Sequence, residues 1–511
     1  MDWTGGYVTD ILYTYGYYSE LNPLNARFLC LVNGIACRKE FKNACELGFG
    51  QGMSINVHAC SSKTHWYGTD FNPSQVDFAR SLALDAEFTV HLYDDSFEDF
   101  VNNSELPQFD FIALHGIWSW VNDAAREAIL TFIRKKLTVG GVLYISYNVN
   151  PGFLSLLPLR HLVKRHADLN GAPQGKEQAV KDSLTFIDRL FACNPRYLTQ
   201  NPLVQAQFSK LAGNDPHYIA HEFLNEHWDL WHFDELAATL EQAKVQFAVS
   251  ATVSENIDSI HLSKEQRAEL AAIKDRDFRE TVRDFFLNTR FRRDYFIKGV
   301  RQLTQDEQRE QLLSFPVILL EPLSLFKYET QGTLGQIKLV GELYEPILKV
   351  LSDYAPHTLG EILERTASAG VNYGSLVSAI LILMGKGSVR AAQSYDEALV
   401  RQCQRLNGRI LSRATGRDAL DVLASPVIGG GIGVSQMQQL LILGADSGTI
   451  PLETDPLARY LVTVLTQIGA TVTVKDRSLP SDSPEGMKEA LLQAERFLGM
   501  LPVYRALKLL E

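Results

Sequence analysis

The 511-residue chain has no run approaching eighteen apolar residues, no Cys-x-x-Cys pair, no low-complexity tract and no internal repeat. The first absence leaves nothing that reads as a membrane-spanning helix. The second removes zinc ribbons and thioredoxin-type redox motifs. Positive charge is in deficit: 49 Lys and Arg stand against 60 Asp and Glu, a net charge of −11. An acidic whole disfavours nucleic acid as a partner. Cysteine is scarce too. Cys30, Cys37, Cys45, Cys60, Cys193 and Cys403 are too few for a disulfide framework and suit a reducing cytoplasm. The opening Met-Asp-Trp-Thr-Gly-Gly-Tyr lacks the basic and apolar regions of a signal peptide. A soluble, cytoplasmic protein is therefore expected.

What is present is ordinary in bulk, 46% apolar and 21% charged, and long enough for roughly three or four domains. Residues 1–35 form an aromatic arm with Trp3, Tyr7, Tyr13, Tyr15, Tyr17 and Tyr18. Between 36 and 165, short apolar strands alternate with helices: Asn43–Leu47, Thr64–Thr69, Phe88–Tyr93, Phe109–Leu114 and Val142–Tyr147. Continuous apolar strands between helices predict an α/β domain with a parallel, Rossmann-like sheet covered on both faces. Residues 166–325 read as a helical middle domain, 326–410 as a winged-helix-like module and 411–511 as a helical C-terminal domain.

The first strand breaks into Glu46-Leu47-Gly48-Phe49-Gly50-Gln51-Gly52. A glycine-rich turn there lets a nucleotide approach the backbone at the switch point of the sheet. A dinucleotide fingerprint would need glycine or alanine where Met53 stands. Glu46 would also repel a pyrophosphate, whereas an amino-acid cofactor with an ammonium group tolerates it. The loop therefore predicts S-adenosylmethionine, with S-adenosylhomocysteine as product. Asp70, 22 residues after Gly48, ends the second strand and is placed to accept from a ribose diol, with Phe71 beside it. Asp94, Asp95 and Ser96 end the third strand, where an adenine amino group finds an acceptor.

Two further strings narrow the reading. His115-Gly116-Ile117-Trp118-Ser119-Trp120-Val121 follows the fourth strand, and Ser146-Tyr147-Asn148-Val149-Asn150-Pro151-Gly152-Phe153 follows the fifth. With the loop, they resemble the class I methyltransferases that carry a methyltransferase regulatory domain, a family that includes rickettsial protein-lysine methyltransferases. Tyr13 with Pro23, Ala220–Glu226, Phe291–Asp294 and Ala424–Gly431 are similar to further parts of that family. The resemblance implies a protein acceptor, most plausibly lysine, and a homodimer. Phe49 and Gln51 stand where relatives often have Cys and an acid, and Tyr15, Tyr17 and Tyr18 replace a more proline-rich stretch.

Methyl transfer asks for alignment in a dry pocket more than for acid–base chemistry. His115 and Gly116 are expected to shape the cofactor pocket, Tyr147, Asn148 and Tyr13 to act at the acceptor. Trp118 and Trp120 are expected to wall the site, with Tyr7 and Tyr13 as a lid; a packed arm and core tryptophans are the competing readings. A small-molecule or glycan acceptor, or a cofactor-sensing regulator acting through the winged-helix-like module, remains open as an alternative. No metal is expected: His217 and His221 share a helical spacing, but Glu222 follows the second histidine, unlike the His-Glu-x-x-His pattern. Arg276 to Arg293 interleave with the acids from Asp275 to Asp294, which predicts a helix with internal ion pairs rather than a nucleic-acid patch. Gly429–Gly433 reads as a turn.

Overall fold

The computed structural model describes residues 15–84, 87–170, 175–213, 216–416, 418–474 and 477–510. Seven strands form its main sheet: β1 Asn43–Leu47, β2 His65–Thr69, β3 Val90–Tyr93, β4 Phe109–Leu114, β5 Leu137–Asn148, β6 Val245–Ser250 and β7 Phe291–Lys298. Their order is β3-β2-β1-β4-β5-β7-β6. The first five run parallel, and β7 is antiparallel to both β5 and β6. Apolar runs dictate this: every residue of β4 is buried, as a strand covered on both faces must be. The order reverses between β1 and β4, so the crevice at their carboxyl ends is the expected ligand position.

Helices α1 Pro23–Val32, α2 Met53–Ser61, α3 Pro73–Ala83, α4 Phe97–Phe100 and α5 Asp123–Lys136 accompany the parallel strands. Local sequence sets their starts. Asn72 accepts from the Ser74 amide and Pro73 follows with its φ already helical, so α3 begins directly after Asp70. Asn122 caps α5 in the same way through the Ala125 amide.

The sheet takes two of its strands from beyond residue 165, inside the stretch read as helical. Helices between Leu157 and Leu224 are an insertion ahead of β6, with their own core around Val163, Val180, Ile187, Phe208 and Phe223. The charged segment differs from expectation as well. It is a helix, Arg276–Leu287, followed by β7, so Arg292 and Arg293 stand on a strand with side chains on opposite faces.

Farther along, β8 (Pro316–Leu319) is the middle strand of a small sheet between His357–Thr358 and Val389–Ala391, packed with three helices from 341 to 386. Three helices occupy the stretch read as a winged-helix-like module. The strands do not follow its order, because β8 precedes the helices and Val389–Ala391 leads into helix Glu397–Arg413 instead of a returning strand. The Gly429–Gly433 turn belongs to a hairpin of Val422–Ser425 with Gly430–Gly433. That hairpin and helix Glu397–Arg413 cover α2, whose nine residues are all buried. Met53, Val57 and Cys60 share a core with Cys403, Leu406 and Val422, so the C-terminal region is packed directly behind the glycine loop. No single helix among the described residues is long and apolar enough to cross a membrane.

Candidate active site

The glycine loop turns tightly after β1. Gly48 donates to the Thr69 carbonyl at 2.8 Å, and Gly50 donates to Asp70 Oδ2 at 2.8 Å. Gly48 and Gly50 both have positive φ, at 70° and 56°. They serve different ends. A Cβ on Gly48 would meet Ile117 at 2.4 Å, whereas one on Gly50 would meet no described residue within 4 Å. Gly48 is required for packing, and Gly50 keeps backbone bare toward the crevice.

Two carboxyl groups flank this loop. Glu46 is 3% exposed, and its Oε2 has no hydrogen-bond partner among the described residues. Burial, reinforced by the charge of Asp70, raises its pKa well above the usual carboxylate range. Asp70 accepts from the Gly50 and Asn72 amides, yet burial still pushes it up to about 6. Buried carboxyl groups without a cation favour a ligand that brings positive charge and hydroxyl donors. The donor set thus fits an aminoacyl-nucleoside. Phe49 and Gln51 are buried in the loop, with the Gln51 Nε2 lacking a partner among the described residues, and Phe71 is half-buried next to Asp70.

After β3 the three expected residues separate. Asp94 faces Arg80 at 3.4 Å on the exposed side. Ser96 is the N-cap of α4, accepting from the Asp99 amide at 3.1 Å. Asp95 remains at the strand end, its carbonyl accepting from Thr69 and its carboxyl pKa raised by partial burial and then by Asp94.

His115 lies at the end of β4, half-buried. Its ring stacks on Tyr18 with centroids 3.6 Å apart, and Phe291 stands edge-on at 5.9 Å. Its Nδ1 is 2.7 Å from the Tyr144 hydroxyl. Desolvation, then the charge of Arg293, pushes the imidazole down to about 3, so the ring is neutral. The Gly116 amide donates to Ser146 Oγ at 2.7 Å.

The structure brings together a different tyrosine from the one expected. Alternation along β5 places Tyr144 and Ser146 on the His115 face and Tyr147 on the other, where its hydroxyl donates to Asp294 at 2.8 Å. Tyr147 is therefore remote from His115, a correction to its expected role at the acceptor. Asn148 is buried, its backbone N–H donating to Ser119 Oγ at 2.9 Å and its Nδ2 without a partner among the described residues. Trp118 is fully buried against Trp231, which makes it core and not pocket wall. Trp120 is half-buried in an aromatic group with Trp228 and Phe153. Tyr7 and Tyr13 lie outside the described residues.

Tyr18, Tyr144, Ser146, Arg293 and Glu20 complete the His115 surroundings. Arg293 pairs with Glu20 at 3.6 Å, and Tyr295 donates to the Glu20 carbonyl. The period-two alternation of β5 was a signal for Tyr144; nothing in the sequence indicated that Tyr18 would reach it. The rest of the described arm is packed: Tyr15 on Phe78, and Tyr17 by accepting from the Gly431 amide at 2.7 Å.

Residues 215–298 match the family described as a predicted methyltransferase regulatory domain. They run from the end of the helical insertion through β7, so that unit supplies the last two strands of the sheet. The Synechocystis protein sll1526 is 36% identical over 508 residues, covering 98% of each chain. The chain belongs to the same family as sll1526. Its fold is that of class I methyltransferases, and residues 215–298 carry the regulatory-domain match. The Rickettsia prowazekii protein RP789 is 27% identical over 330 residues, 60% of this chain and 56% of its own. Among solved structures, PKMT2 from Rickettsia typhi in complex with AdoHcy superposes with a TM-score of 0.70 at 17% identity, covering 97% of this chain and all of that one.

Proposed function

We propose that this methyltransferase binds S-adenosylmethionine at the carboxyl ends of β1, β2 and β4 and methylates a protein side chain, a lysine amine. The observation that carries the reading is the pair of buried carboxyl groups, Glu46 and Asp70, flanking a glycine loop beside the neutral His115. Glu46, directly or through water, takes the ammonium of the cofactor. Asp70 takes the ribose hydroxyls, and Asp95 lies where the base is expected. When bound, the cofactor supplies an electrophilic methyl carbon on a sulfonium.

The remaining requirements fall on this chain's own groups. The Tyr18, His115 and Phe291 rings make an uncharged wall that excludes water from the incoming amine. A lysine ammonium, with an ordinary pKa near 10.4, must lose its proton before attack, and such a wall favours the neutral amine. An imidazole held near 3 is a poor base, so His115 orients while water takes the proton. The amine nitrogen then bonds to the methyl carbon as the carbon–sulfur bond breaks, and the electron pair stays on sulfur. A protein acceptor accords with the likeness to PKMT2 of Rickettsia typhi; the thiols of all six cysteines, free in the structure, accord with a reducing cytoplasm.

The test is incubation of the purified protein with labelled S-adenosylmethionine and cell protein, followed by mass spectrometry of labelled species. Methylated lysine in protein, absent with Asp70→Ala, is expected. Label confined to small molecules or glycans moves the acceptor class, and no label with any fraction sinks the enzymatic reading.

A further inference from the structure

The helix Arg276–Leu287 is built inside out. Arg283 and Asp284 are buried, while Phe278 and Phe285 are 52% and 57% exposed. At helical spacing, Arg276, Arg279, Glu280, Arg283, Asp284 and Leu287 share one side, and that side walls a cavity of about 380 Å³. Residues of β6, β7 and the helix Lys264–Ala272 close the other walls. A polar helix face turned inward costs free energy unless its groups find partners.

Most of them do. Arg283 pairs with Asp258 and donates to the Glu255 carbonyl at 2.6 Å. Arg276 donates to the Ala248 carbonyl at 2.8 Å. Arg292 is held by Glu280, Asp284 and Asp294. Two needs remain among the described residues. The Oδ2 of Asp284, in a side chain only 2% exposed, accepts no hydrogen bond. Arg267 and Arg279, lining the same cavity, form no ion pair with a described residue.

A phosphate or other simple anion would meet the cavity's four carboxyl groups, and a metal or simple cation its five arginines. A zwitterion answers both. We propose that this cavity binds a free α-amino acid, its ammonium on Asp284 Oδ2, its carboxylate on Arg267 and Arg279, and its side chain against Leu270, Ala271 and Leu287. The volume is that of a small-ligand site. It is separate from the cofactor crevice: Arg292 faces this cavity, whereas its strand neighbours Phe291 and Arg293 face His115. The site therefore gives the regulatory domain a ligand of its own, one strand's thickness from the reaction.

Calorimetric titration of the full chain with each of the twenty L-amino acids tests this, with S-adenosylhomocysteine kept saturating to occupy the cofactor crevice. At least one amino acid is expected to bind with one-to-one stoichiometry. Its amide and its deaminated acid should each bind at least about tenfold more weakly, because each lacks one charge-assisted contact. Asp284 also holds Arg292, so the half-buried Arg279 carries the mutational arm. R279Q should weaken the amino acid by about tenfold and leave S-adenosylhomocysteine affinity unchanged. No binding at millimolar concentration, equal binding of the deaminated acid, or an unaltered affinity in R279Q would each overturn the proposal.

Discussion

Two polar centres lie back to back across β5 and β7, and they solve the same problem in opposite ways. On one face, His115 sits among Tyr18, Tyr144 and Phe291; on the other, Arg292 sits among Glu280, Asp284 and Asp294. Arg292 is buried and His115 half-buried. His115 Nδ1 meets hydroxyl groups and no described carboxylate, and burial, then the charge of Arg293, drives it to the neutral form with a pKa near 3. Arg292 has three carboxylates, which hold its charge and raise its pKa well above the ordinary value despite burial. The strand register makes the division sharp: Tyr147 pairs with Arg292 and Ser146 with Arg293, so one residue's step changes the environment. The charged centre braces the sheet edge, and the neutral one suits a reaction in which charge is dispersed.

The largest expected effect comes from breaking the charged side. Arg292→Met leaves Asp284 and Asp294 buried without their cation, and denaturant unfolding should show a loss of about 3–5 kcal/mol. A loss under about 1 kcal/mol would mean that the carboxyl groups already stand protonated. Tyr147→Phe removes only a donor to Asp294 and should cost about 1–3 kcal/mol of stability, with methyl transfer per folded molecule unchanged. A specific loss of transfer in that variant would return Tyr147 to the acceptor site.

The cofactor carboxyls give an effect readable against pH. Asp70 in the folded chain titrates near 6, above its ordinary 3.8. The folded state thus binds more protons than the unfolded one between those values, so this group's contribution to stability falls as pH rises from about 4 to 6. A ligand that needs the carboxylate shows the reverse trend. S-adenosylhomocysteine affinity should fall about tenfold per pH unit below 6, more steeply if Glu46 must also release its proton, and Asp70→Asn should flatten the curve. A wild-type affinity that is flat from pH 5 to 7 would contradict the assigned contact.

How far the sequence could be read follows from the range of the forces involved. The glycine loop, Asp70 and the capping of α3 at Asn72 are local, set by residues a few positions apart, and they were legible. Trp118, Tyr147 and Arg292 were misplaced because their surroundings come from distant segments: Trp231, Asp294 and Asp284. The last two strands were missed for a related reason. They lie beyond a helical insertion, and the charges of Phe291–Lys298 mask a strand whose alternate residues are buried in an ion cluster. Tyr18 came to His115 from the far side of the chain's start, a contact that no periodicity announces.

The smallest expected effect sharpens the neutral side. Tyr144→Phe keeps the ring and removes the hydroxyl lying 2.7 Å from His115 Nδ1, leaving Ser146 Oγ at 3.4 Å as the nearest alternative. Stability should change by about 1 kcal/mol or less, because the imidazole is neutral and the bond joins two uncharged groups. The turnover rate should drop severalfold, since the ring proposed to orient the amine gains freedom, while the affinity for S-adenosylhomocysteine holds. The shape of the pH–rate profile separates orientation from proton transfer. With His115 near 3, no limb around 6.5 belongs to it, and the variant should lower the whole profile without moving it. A limb that shifts with the mutation would make His115 a base after all, and would mean that the neutral face carries a charge during the reaction.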